Sequence, residues 1–383
     1  MNEIYFDNAA TMKTSLAVAN KIFDVLVNHS ANPSSFHKLG LFARQLIEEA
    51  RKKVGMVLNC DPSEVCFTSG GSESNMIALL GSAKPRSKDK KRIVVTAVEH
   101  QSVRLCCQKL EAWGYEIKTV NPKDDNLIEQ VQALVDENTL LVSVMMVNNE
   151  TGDLYPIKDL VRVAKRKNPQ VLFHCDVAQA FGKILCDVKE LNVDLLTFSG
   201  HKVGAPSGIG GLYLRRGVKS CLVPGGAQEF GIRMGTENLA AIAGLGVACE
   251  HLTDKNLLVN YKKIGELRAV LMKRLASLEK VLINSRVDSV PYVLNFSVLG
   301  VPGQVLLNRL EQDNIFVGLG AAACSRGKAS HVLKALGFGE DVTSTALRVS
   351  FGWCNELDEV KRFCDVLESA IPELRANSTM GGI

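Results

Sequence analysis

Short apolar runs alternate with amphipathic stretches over the first 240 residues or so of this chain. The runs predict strands at 64–68, 92–97, 140–147, 171–176, 195–199 and 211–214. Between them, apolar positions recur at helical spacing, which predicts helices at 41–58, 72–80, 101–113, 126–135 and 157–165. Strands that alternate with helices form a mainly parallel sheet covered on both faces. Ligands of such sheets bind at the carboxyl ends of the strands.

The pattern changes near residue 239. A long helical tract covers 239–278, with a short break near 253–254. It is followed by a predicted strand at 292–298, a helix at 303–311, strands at 315–317 and 346–351, and a helix at 357–374. This order predicts a smaller α+β unit after the α/β region.

Composition and charge narrow the function classes. The net charge is +4, from 45 basic and 41 acidic residues, which is too balanced to indicate nucleic acid or a membrane surface as the main partner. No apolar run approaches the roughly 20 residues of a membrane helix, and the first residues lack the pattern of a signal peptide, so we expect a cytoplasmic protein. The 11 cysteines are scattered without a Cys-x-x-Cys pair, which favours reduced core residues over a metal site.

Polar residues follow the first two of four successive strand ends. The segment 68–75 reads Thr-Ser-Gly-Gly-Ser-Glu-Ser-Asn and opens a predicted helix. Glycines, hydroxyls and a helix N-terminus together suit a phosphate, although an ordinary turn capped by Ser72 explains the same residues. His100 ends the next strand, where it could stack on a cofactor ring or be a simple loop histidine.

The next two strand ends carry amides and an aspartate. Asn149 lies in an Asn-Asn-Glu-Thr-Gly turn, where its amide could bond a phenolic oxygen or merely favour the turn. Asp176 could keep a pyridine nitrogen protonated, or it could cap a helix. If a helix starts there, Gln179 lies on the same side as Asp176.

The run Ser199-Gly200-His201-Lys202 ends a strongly apolar stretch. A lysine delivered to the edge of a buried sheet is costly unless it is used, because desolvation disfavours its charge. Its best-attested use is a Schiff base with pyridoxal phosphate (PLP). Turns alone do not explain a phosphate cradle, a ring-stacking group and a carboxylate at preceding strand ends.

With these motifs in view, the chain resembles the cysteine desulfurases, PLP enzymes of fold type I within the class V aminotransferase group. The resemblance runs from 5–11 (Tyr-Phe-Asp-Asn-Ala-Ala-Thr) to 347–352 (Leu-Arg-Val-Ser-Phe-Gly), and it includes 32–35 (Asn-Pro-Ser-Ser) and 233–236 (Arg-Met-Gly-Thr). It implies a large PLP-binding domain at 14–255 with a mainly parallel seven-stranded sheet. A small α+β domain, made from 1–13 and 256–383, would carry the catalytic cysteine. It also implies a homodimer.

The resemblance assigns roles by position. It implies that Lys202 forms the Schiff base and that His100 stacks on the ring and is a candidate for proton transfer. Asp176 would pair with the pyridine nitrogen, and Asn149 and Gln179 would bond the ring oxygen. Arg348 would hold the substrate carboxylate through its bidentate geometry, assisted by Asn32. The implied phosphate ligands are Gly71, Ser72, Ser199, His201 and, from a second subunit, Thr236.

Cys324 stands in a run of small residues, 318–328, beside Arg326 and Lys328. Basic neighbours favour a thiolate, although a buried apolar cysteine is the alternative. The resemblance implies that Cys324 takes the sulfur of L-cysteine, leaving L-alanine and a persulfide for an acceptor protein. Iron–sulfur assembly, transfer-RNA thiolation, thiamine or molybdenum-cofactor synthesis and selenium delivery are all open as destinations of the sulfur. Ser207, Ala227 and Trp353 depart from the family pattern and argue against a standard role in iron–sulfur assembly.

Two other classes of function stay open. A selenocysteine lyase, an aminotransferase or an epimerase could share this fold, although an aminotransferase needs no thiol at position 324. A non-catalytic binding protein could also keep the fold. The presence of Lys202, Asp176, His100 and Arg348 argues against it.

Overall fold

The computed structural model describes residues 3–83, 92–123, 125–223, 228–320 and 330–380. The predicted nucleophile Cys324 lies outside the described residues. The strands found in the described part are numbered in chain order: β1 (Ile4–Phe6), β2 (Val65–Thr68), β3 (Arg92–Thr96), β4 (Glu116–Val120), β5 (Thr139–Met145), β6 (Leu172–Asp176), β7 (Leu195–Ser199), β8 (Gly210–Leu214), β9 (Val281–Ile283), β10 (Val293–Val298), β11 (Ile315–Leu319) and β12 (Ala346–Ser350).

The helices of the same residues are numbered likewise: α1 (Leu16–Asn28), α2 (Lys38–Leu58), α3 (Gly71–Ser82), α4 (Gln101–Ala112), α5 (Leu127–Leu134), α6 (Ile157–Lys167), α7 (Val188–Leu191), α8 (Leu239–Glu250), α9 (Asp254–Ala276), α10 (Gly303–Glu311), α11 (His331–Ala335), α12 (Glu340–Thr343) and α13 (Leu357–Met380). Short 3-10 helices cover Pro62–Glu64, Gly200–Val203 and Gln228–Gly231.

The chain divides into two compact units. The larger unit comprises Met12–Met146 and Tyr155–Leu257. The smaller unit comprises Met1–Thr11, Val147–Leu154 and Leu258–Ile383. The segment after β5, which contains Asn149, therefore belongs to the smaller unit, although the strand before it belongs to the larger one.

The larger unit is built on a seven-stranded sheet in the order β2-β8-β7-β6-β5-β3-β4. Strand β8 runs antiparallel to both of its neighbours, and the other pairings are parallel. The predicted mainly parallel, seven-stranded α/β fold is thereby confirmed. The central strands β6 and β7 are buried almost throughout, which explains their continuous apolar runs.

Helices cover this sheet and complete its core. Apolar residues of α3 and α4, including Ile77, Val103 and Leu110, pack with Ile93 of β3 in one buried cluster. Helix α8 is buried nearly all round and consists largely of small residues. A side chain at Gly246 would meet Ala50 of α2 at 2.9 Å, so glycine permits the two helices to approach closely.

The smaller unit contains a five-stranded sheet in the order β1-β11-β12-β10-β9. Strand β1 pairs parallel with β11, and the remaining neighbours are antiparallel. Phe6 of β1 makes edge-on contacts with Phe351 and Phe363, at centroid distances of 5.3 and 5.6 Å. This packing fixes the short N-terminal strand in the core of the unit.

The described residues show neither a membrane-spanning helix nor a metal-binding group. None of their helices has the length and apolar character needed to cross a membrane. Within the same ranges, no group of three or more histidine, cysteine or acidic side chains is placed to hold a metal ion.

Candidate active site

In the larger unit, the C-terminal ends of strands β6 and β7 lie next to the start of helix α3. Asp176 ends β6 and is in register with Thr197 of β7, and Ser199 ends β7. A Cβ built on Gly71 would lie 3.6 Å from the Cβ of Ser199 and 3.9 Å from that of Ala178. Parallel strands thus bring residues that are far apart in the chain to one edge of the sheet.

The first turn of α3 is an open anion site. The helix begins at Gly71, and its N-cap is Gly70, whose φ of 153° favours glycine. No side chain caps this end, so the first N–H groups of the helix are suited to binding an anion. The alternative in which Ser72 is the cap is wrong, because Ser72 already lies within the helix. Glu73 accepts from the Ser69 N–H at 2.5 Å and stabilises the turn.

Asp176 is buried and oriented by two donors. Its Oδ2 accepts from Asn75 Nδ2 at 2.8 Å, and its Oδ1 accepts from the Ala178 N–H at 2.9 Å. Asn75 Nδ2 also donates to Ser102 Oγ at 2.9 Å. Asn75 was not among the site residues predicted from the sequence. Its spacing of four residues from Gly71, on the same face of α3, was the signal that could have indicated it.

Successive turns, rather than a helix, follow Asp176. The expectation that Asp176 caps a helix is therefore wrong. Gln179 is buried, and its Oε1 accepts from Lys183 Nζ at 3.3 Å.

His100 is the N-cap of α4. Its Nδ1 accepts from the Ser102 N–H at 3.2 Å and lies 2.8 Å from Ser102 Oγ. The protein around the ring lowers the pKa of His100 by desolvation, the nearby Lys202 lowers it further, and Asp176 acts in the opposite direction. His100 is therefore a neutral imidazole at pH 7, within the electrostatic reach of both Asp176 and Lys202.

Lys202 lies in the 3-10 helix that directly follows β7. Its neighbour His201 has a pKa lowered to about 4, chiefly by burial and then by the positive charges of Lys202 and Lys183. Gly200 is required at the turn, because a Cβ there would meet Ile209 Cγ2 at 2.8 Å. The strand and the turn together present a lysine and a neutral histidine at the sheet edge.

Among the described residues, no hydrogen bond connects Asn32 or Thr236 to the cluster of Asp176, His100 and Lys202. Both are exposed. Asn32 Oδ1 accepts from the Ser34 N–H at 2.8 Å and so serves its own turn.

The segment before Thr236 is anchored by a buried ion pair that the sequence analysis did not identify. Arg51 makes two bonds to the Glu229 carboxylate, at 2.8 and 2.9 Å, and Glu229 also accepts from the Phe67 N–H at 2.6 Å. The guanidinium lies 4.8 Å from the Phe67 ring centroid and 4.9 Å from that of Phe230.

Arg348 and Asn149 come together in the smaller unit. Arg348 is 4% exposed, and its Nη1 donates to the Asn149 carbonyl at 2.9 Å. Its Nη2 donates to Asp7 Oδ1 at 2.7 Å. Asn149 thus contributes its backbone to the setting of Arg348.

Glu150 is linked to Ser330 and Gly320, the described residues on either side of 321–329, directly to the first and through Asn295 to the second. Its Oε2 accepts from Ser330 Oγ at 2.5 Å, and its carbonyl accepts from Asn295 Nδ2 at 3.1 Å. Asn295 Nδ2 also donates to the Gly320 carbonyl at 3.0 Å. Residues on both sides of the segment that contains Cys324 are therefore bonded to one buried pair of residues, Glu150 and Asn295.

Most of the other cysteines are poor candidates for a nucleophile. Seven of the ten cysteines in the described ranges are buried. Burial raises the pKa of Cys186 and of Cys249 to about 12, and it is the main reason that the pKa of Cys60 is also about 12. Thiols with such pKa values are almost entirely protonated at neutral pH, and the thiolate is the reactive form.

The donor set of the larger unit fits PLP: an uncapped glycine-lined helix start for the phosphate, a buried and oriented aspartate for a ring nitrogen, a neutral histidine beside them, and a lysine at the sheet edge. An α/β fold with these groups at one sheet edge is typical of the PLP-dependent enzymes of fold type I.

Comparisons with known proteins specify the class further. A model of the class-V aminotransferase family matches residues 4–363. The cysteine desulfurase IscS of Clostridium botulinum (strain Hall) is 35% identical over 387 residues, covering 99% of this chain and 96% of the relative. The solved structure of a NifS-like protein has a TM-score of 0.91 and 34% identity, and the match covers 97% of this chain and 100% of the other.

A structure described as SspA in complex with cysteine has a TM-score of 0.80 and 32% identity, over 91% of this chain and 99% of that chain. The chain therefore belongs to the cysteine desulfurases of the class V aminotransferase family, and it is a PLP-dependent enzyme.

Proposed function

We propose that this enzyme converts L-cysteine to L-alanine, forms a persulfide on Cys324 and passes the sulfur to an acceptor. The observation that carries the proposal is the cluster of Lys202, His100, oriented Asp176 and the open α3 terminus at one sheet edge. The family membership over the full chain supports it.

Lys202 and Asp176 are assigned the central chemistry. PLP bound through Lys202 supplies an electron sink for the charge that forms at the substrate Cα. Once the substrate is bound and the amine of Lys202 is free, that amine would take the Cα proton. The carboxylate of Asp176, held by Asn75 and the Ala178 N–H, stabilises the proton on the ring nitrogen. The neutral imidazole of His100 stacks on the ring and can accept a proton.

The remaining ligands bind and orient. The phosphate is held by Gly71, Ser72, Ser199 and His201, with Thr236 contributed by a second subunit. A neutral His201 suits this role as a donor at the sheet edge.

Other residues hold the ring oxygen and the substrate. Asn149 and Gln179 bond the ring oxygen. Arg348 binds the substrate carboxylate with help from Asn32, a task for which the planar guanidinium is well suited.

Cys324 is assigned the sulfur step. Its thiolate attacks the substrate Sγ and forms an S–S bond, while the Cβ–Sγ bond breaks and leaves its electron pair on carbon. One proton then completes the methyl group of alanine, and the proton held by Lys202 returns to Cα. A reducing thiol or an acceptor protein removes the terminal sulfur from the persulfide and regenerates Cys324.

A homodimer in the cytoplasm is part of the proposal. Apolar side chains of α1 and the following segment are exposed, including Leu16, Phe23, Leu26 and Phe36. Exposed apolar patches of this kind are typical of interaction surfaces. We also propose two functional domains. The large one covers 14–255, and the small one is formed by 1–13 together with 256–383.

The ten described cysteines are free thiols, which agrees with a reducing compartment such as the cytoplasm.

The products of wild-type turnover test this function. Purified enzyme with PLP, L-cysteine and a reducing thiol is expected to release one sulfide for each alanine, without an added keto acid. An aminotransferase would require a keto acid and release no sulfide, so that pattern would refute the proposal. Analytical ultracentrifugation of the same sample tests the dimer, which is expected at twice the 41.6 kDa chain mass.

A further inference from the structure

Arg348 is held in one orientation before any substrate binds. It lies in β12, and two of its five N–H groups are used, by Asp7 Oδ1 at 2.7 Å and by the Asn149 carbonyl at 2.9 Å. The contacts come from opposite parts of the chain, one from the N-terminal segment and one from the turn after β5. Because the two bonds are made by different nitrogens, they set the orientation of the guanidinium plane in addition to balancing its charge.

Asp7 is itself well fixed. It directly follows β1, forms a bridge with Ser350 at the end of β12, and its carbonyl accepts from Tyr5 Oη at 3.2 Å. The Asn8 side chain donates to the Ser350 carbonyl at 2.9 Å. The carboxylate of Asp7 is therefore a rigid partner for Arg348, because the backbone on both sides of it is bonded to the smaller sheet.

Glycine at position 318 leaves the space that this pair occupies. Gly318 is opposite Arg348 in the β11–β12 register. A Cβ at Gly318 would lie 2.7 Å from Asp7 Oδ1, 2.9 Å from Arg348 Nη2 and 3.1 Å from Arg348 Nε. The first two distances are shorter than real Cβ contacts allow and the third is tighter than most, so the pair could not keep this geometry beside a larger residue.

Three N–H groups of Arg348 are left over, and one of them is on Nε. Its Nε is buried and has no hydrogen-bond partner among the described residues. A buried donor without a partner is costly, and a ligand that supplies an acceptor removes this cost. A carboxylate is the ligand whose geometry best matches the remaining N–H groups of a guanidinium.

We propose that Asp7 is a positioning residue for the substrate carboxylate. It fixes the guanidinium of Arg348 so that the remaining N–H groups keep one orientation, and it offsets part of the buried positive charge while no substrate is bound. This rests on the proposed role of Arg348 as the carboxylate ligand. Asp7 acts through Arg348 and does not itself bind the substrate.

The test compares two ligands that differ only in a carboxylate, L-alanine and ethylamine. Binding of each to the PLP-loaded enzyme is measured by calorimetry for wild type, Asp7→Asn, Asp7→Ala and Gly318→Ala. Asp7→Ala should weaken L-alanine binding at least about tenfold and leave ethylamine binding within about twofold. Asp7→Asn keeps an acceptor at the same place and should stay within about threefold of wild type for L-alanine.

Gly318→Ala displaces the pair without removing a charge, and it should weaken L-alanine binding selectively as well. Thermal unfolding of each variant shows whether it is folded, and kinetic assays should show a rise in KM for L-cysteine that exceeds any fall in kcat. Tighter L-alanine binding by both Asp7 variants would overturn the inference, because Asp7 would then compete with the carboxylate. Equal loss of L-alanine and ethylamine binding would also overturn it.

Failure of the underlying function gives a different pattern. If wild-type enzyme binds L-alanine no better than ethylamine, Arg348 does not recognise the carboxylate, and both proposals fail. If wild type discriminates strongly but Asp7→Ala discriminates equally well, only the role of Asp7 fails.

Discussion

Glu99 precedes His100 and is one of the most deeply buried acids of the larger unit. Its Oε1 accepts from Thr96 Oγ1 at 2.6 Å and from the Met145 N–H at 2.9 Å. The pKa of Glu99 is raised to about 8, chiefly by burial and to a smaller extent by the charge of Asp176, while the two hydrogen bonds act in the opposite direction. The folded enzyme therefore holds Glu99 protonated at pH 7.

The sign of the resulting pH dependence follows from proton counting. In the unfolded chain Glu99 has its ordinary pKa of 4.5, so between pH 4.5 and about 8 only the folded state keeps the proton. The stability that Glu99 contributes is present below pH 4.5 and is lost as the pH rises towards 8. The slope is about 1.4 kcal/mol per pH unit, or about 4 kcal/mol between pH 5 and pH 8.

The substitution Glu99→Gln tests this value, because glutamine imitates the neutral acid and keeps an acceptor oxygen. Denaturant unfolding of wild type and variant is compared from pH 5 to pH 8 at fixed protein and PLP concentrations. The free energy of unfolding of the variant should rise relative to wild type by about 4 kcal/mol over this range. Glu111→Gln, on the exposed face of α4, is the control and should show no such trend.

A difference between Glu99→Gln and wild type that does not change with pH would refute the reasoning. It would mean that the folded state leaves Glu99 as readily ionised as the unfolded chain does. A pH-dependent difference of the opposite sign would mean that a positive charge not identified near Glu99 stabilises its carboxylate.

Further predictions follow from the other buried contacts. Asn75→Ala removes a donor from the carboxylate of Asp176 and should weaken PLP binding about tenfold, measured by absorbance titration of the apoenzyme, whereas Asn75→Gln should weaken it less. Glu229→Ala leaves Arg51 buried without its main partner and should lower the free energy of unfolding by about 3–5 kcal/mol in a denaturant titration. Replacing both partners by apolar residues should cost less. Ser330→Ala removes the donor to the buried carboxylate of Glu150, which is bonded next to the segment that contains Cys324. It should slow persulfide formation several-fold by mass spectrometry, with PLP binding retained, and unchanged persulfide kinetics would contradict this.

The fully buried strands could be predicted from the sequence because their apolar runs are continuous. The predicted strand at 195–199 coincides with β7, and the break near 253–254 separates α8 from α9. Strand β4, Glu116–Val120, was missed because it is a sheet edge with charged and partly exposed residues that lack a clear period. The three-residue strand β1 was missed because it is too short to show one.

Contacts between residues far apart in the chain limit how much of the site could be predicted from the sequence. The strand-end motifs indicated Asp176, His100 and Lys202, since each follows an apolar run. The pairs Arg51–Glu229 and Glu150–Ser330 join residues 178 and 180 positions apart, so no local pattern could reveal them. The helix start at Gly71, rather than a cap at Ser72, depends on backbone geometry that glycine permits but does not dictate.

The most direct test of the account is single-turnover chemistry in wild type, Cys324→Ala and Lys202→Ala. Each holoenzyme is mixed with L-cysteine, and alanine, sulfide and protein-bound persulfide are measured. We predict that wild type forms alanine and a persulfide on Cys324, that Cys324→Ala still binds L-cysteine and PLP but forms neither product, and that Lys202→Ala forms no alanine. Full alanine and sulfide release by Cys324→Ala would contradict the account, because sulfur would then leave the substrate without this thiol.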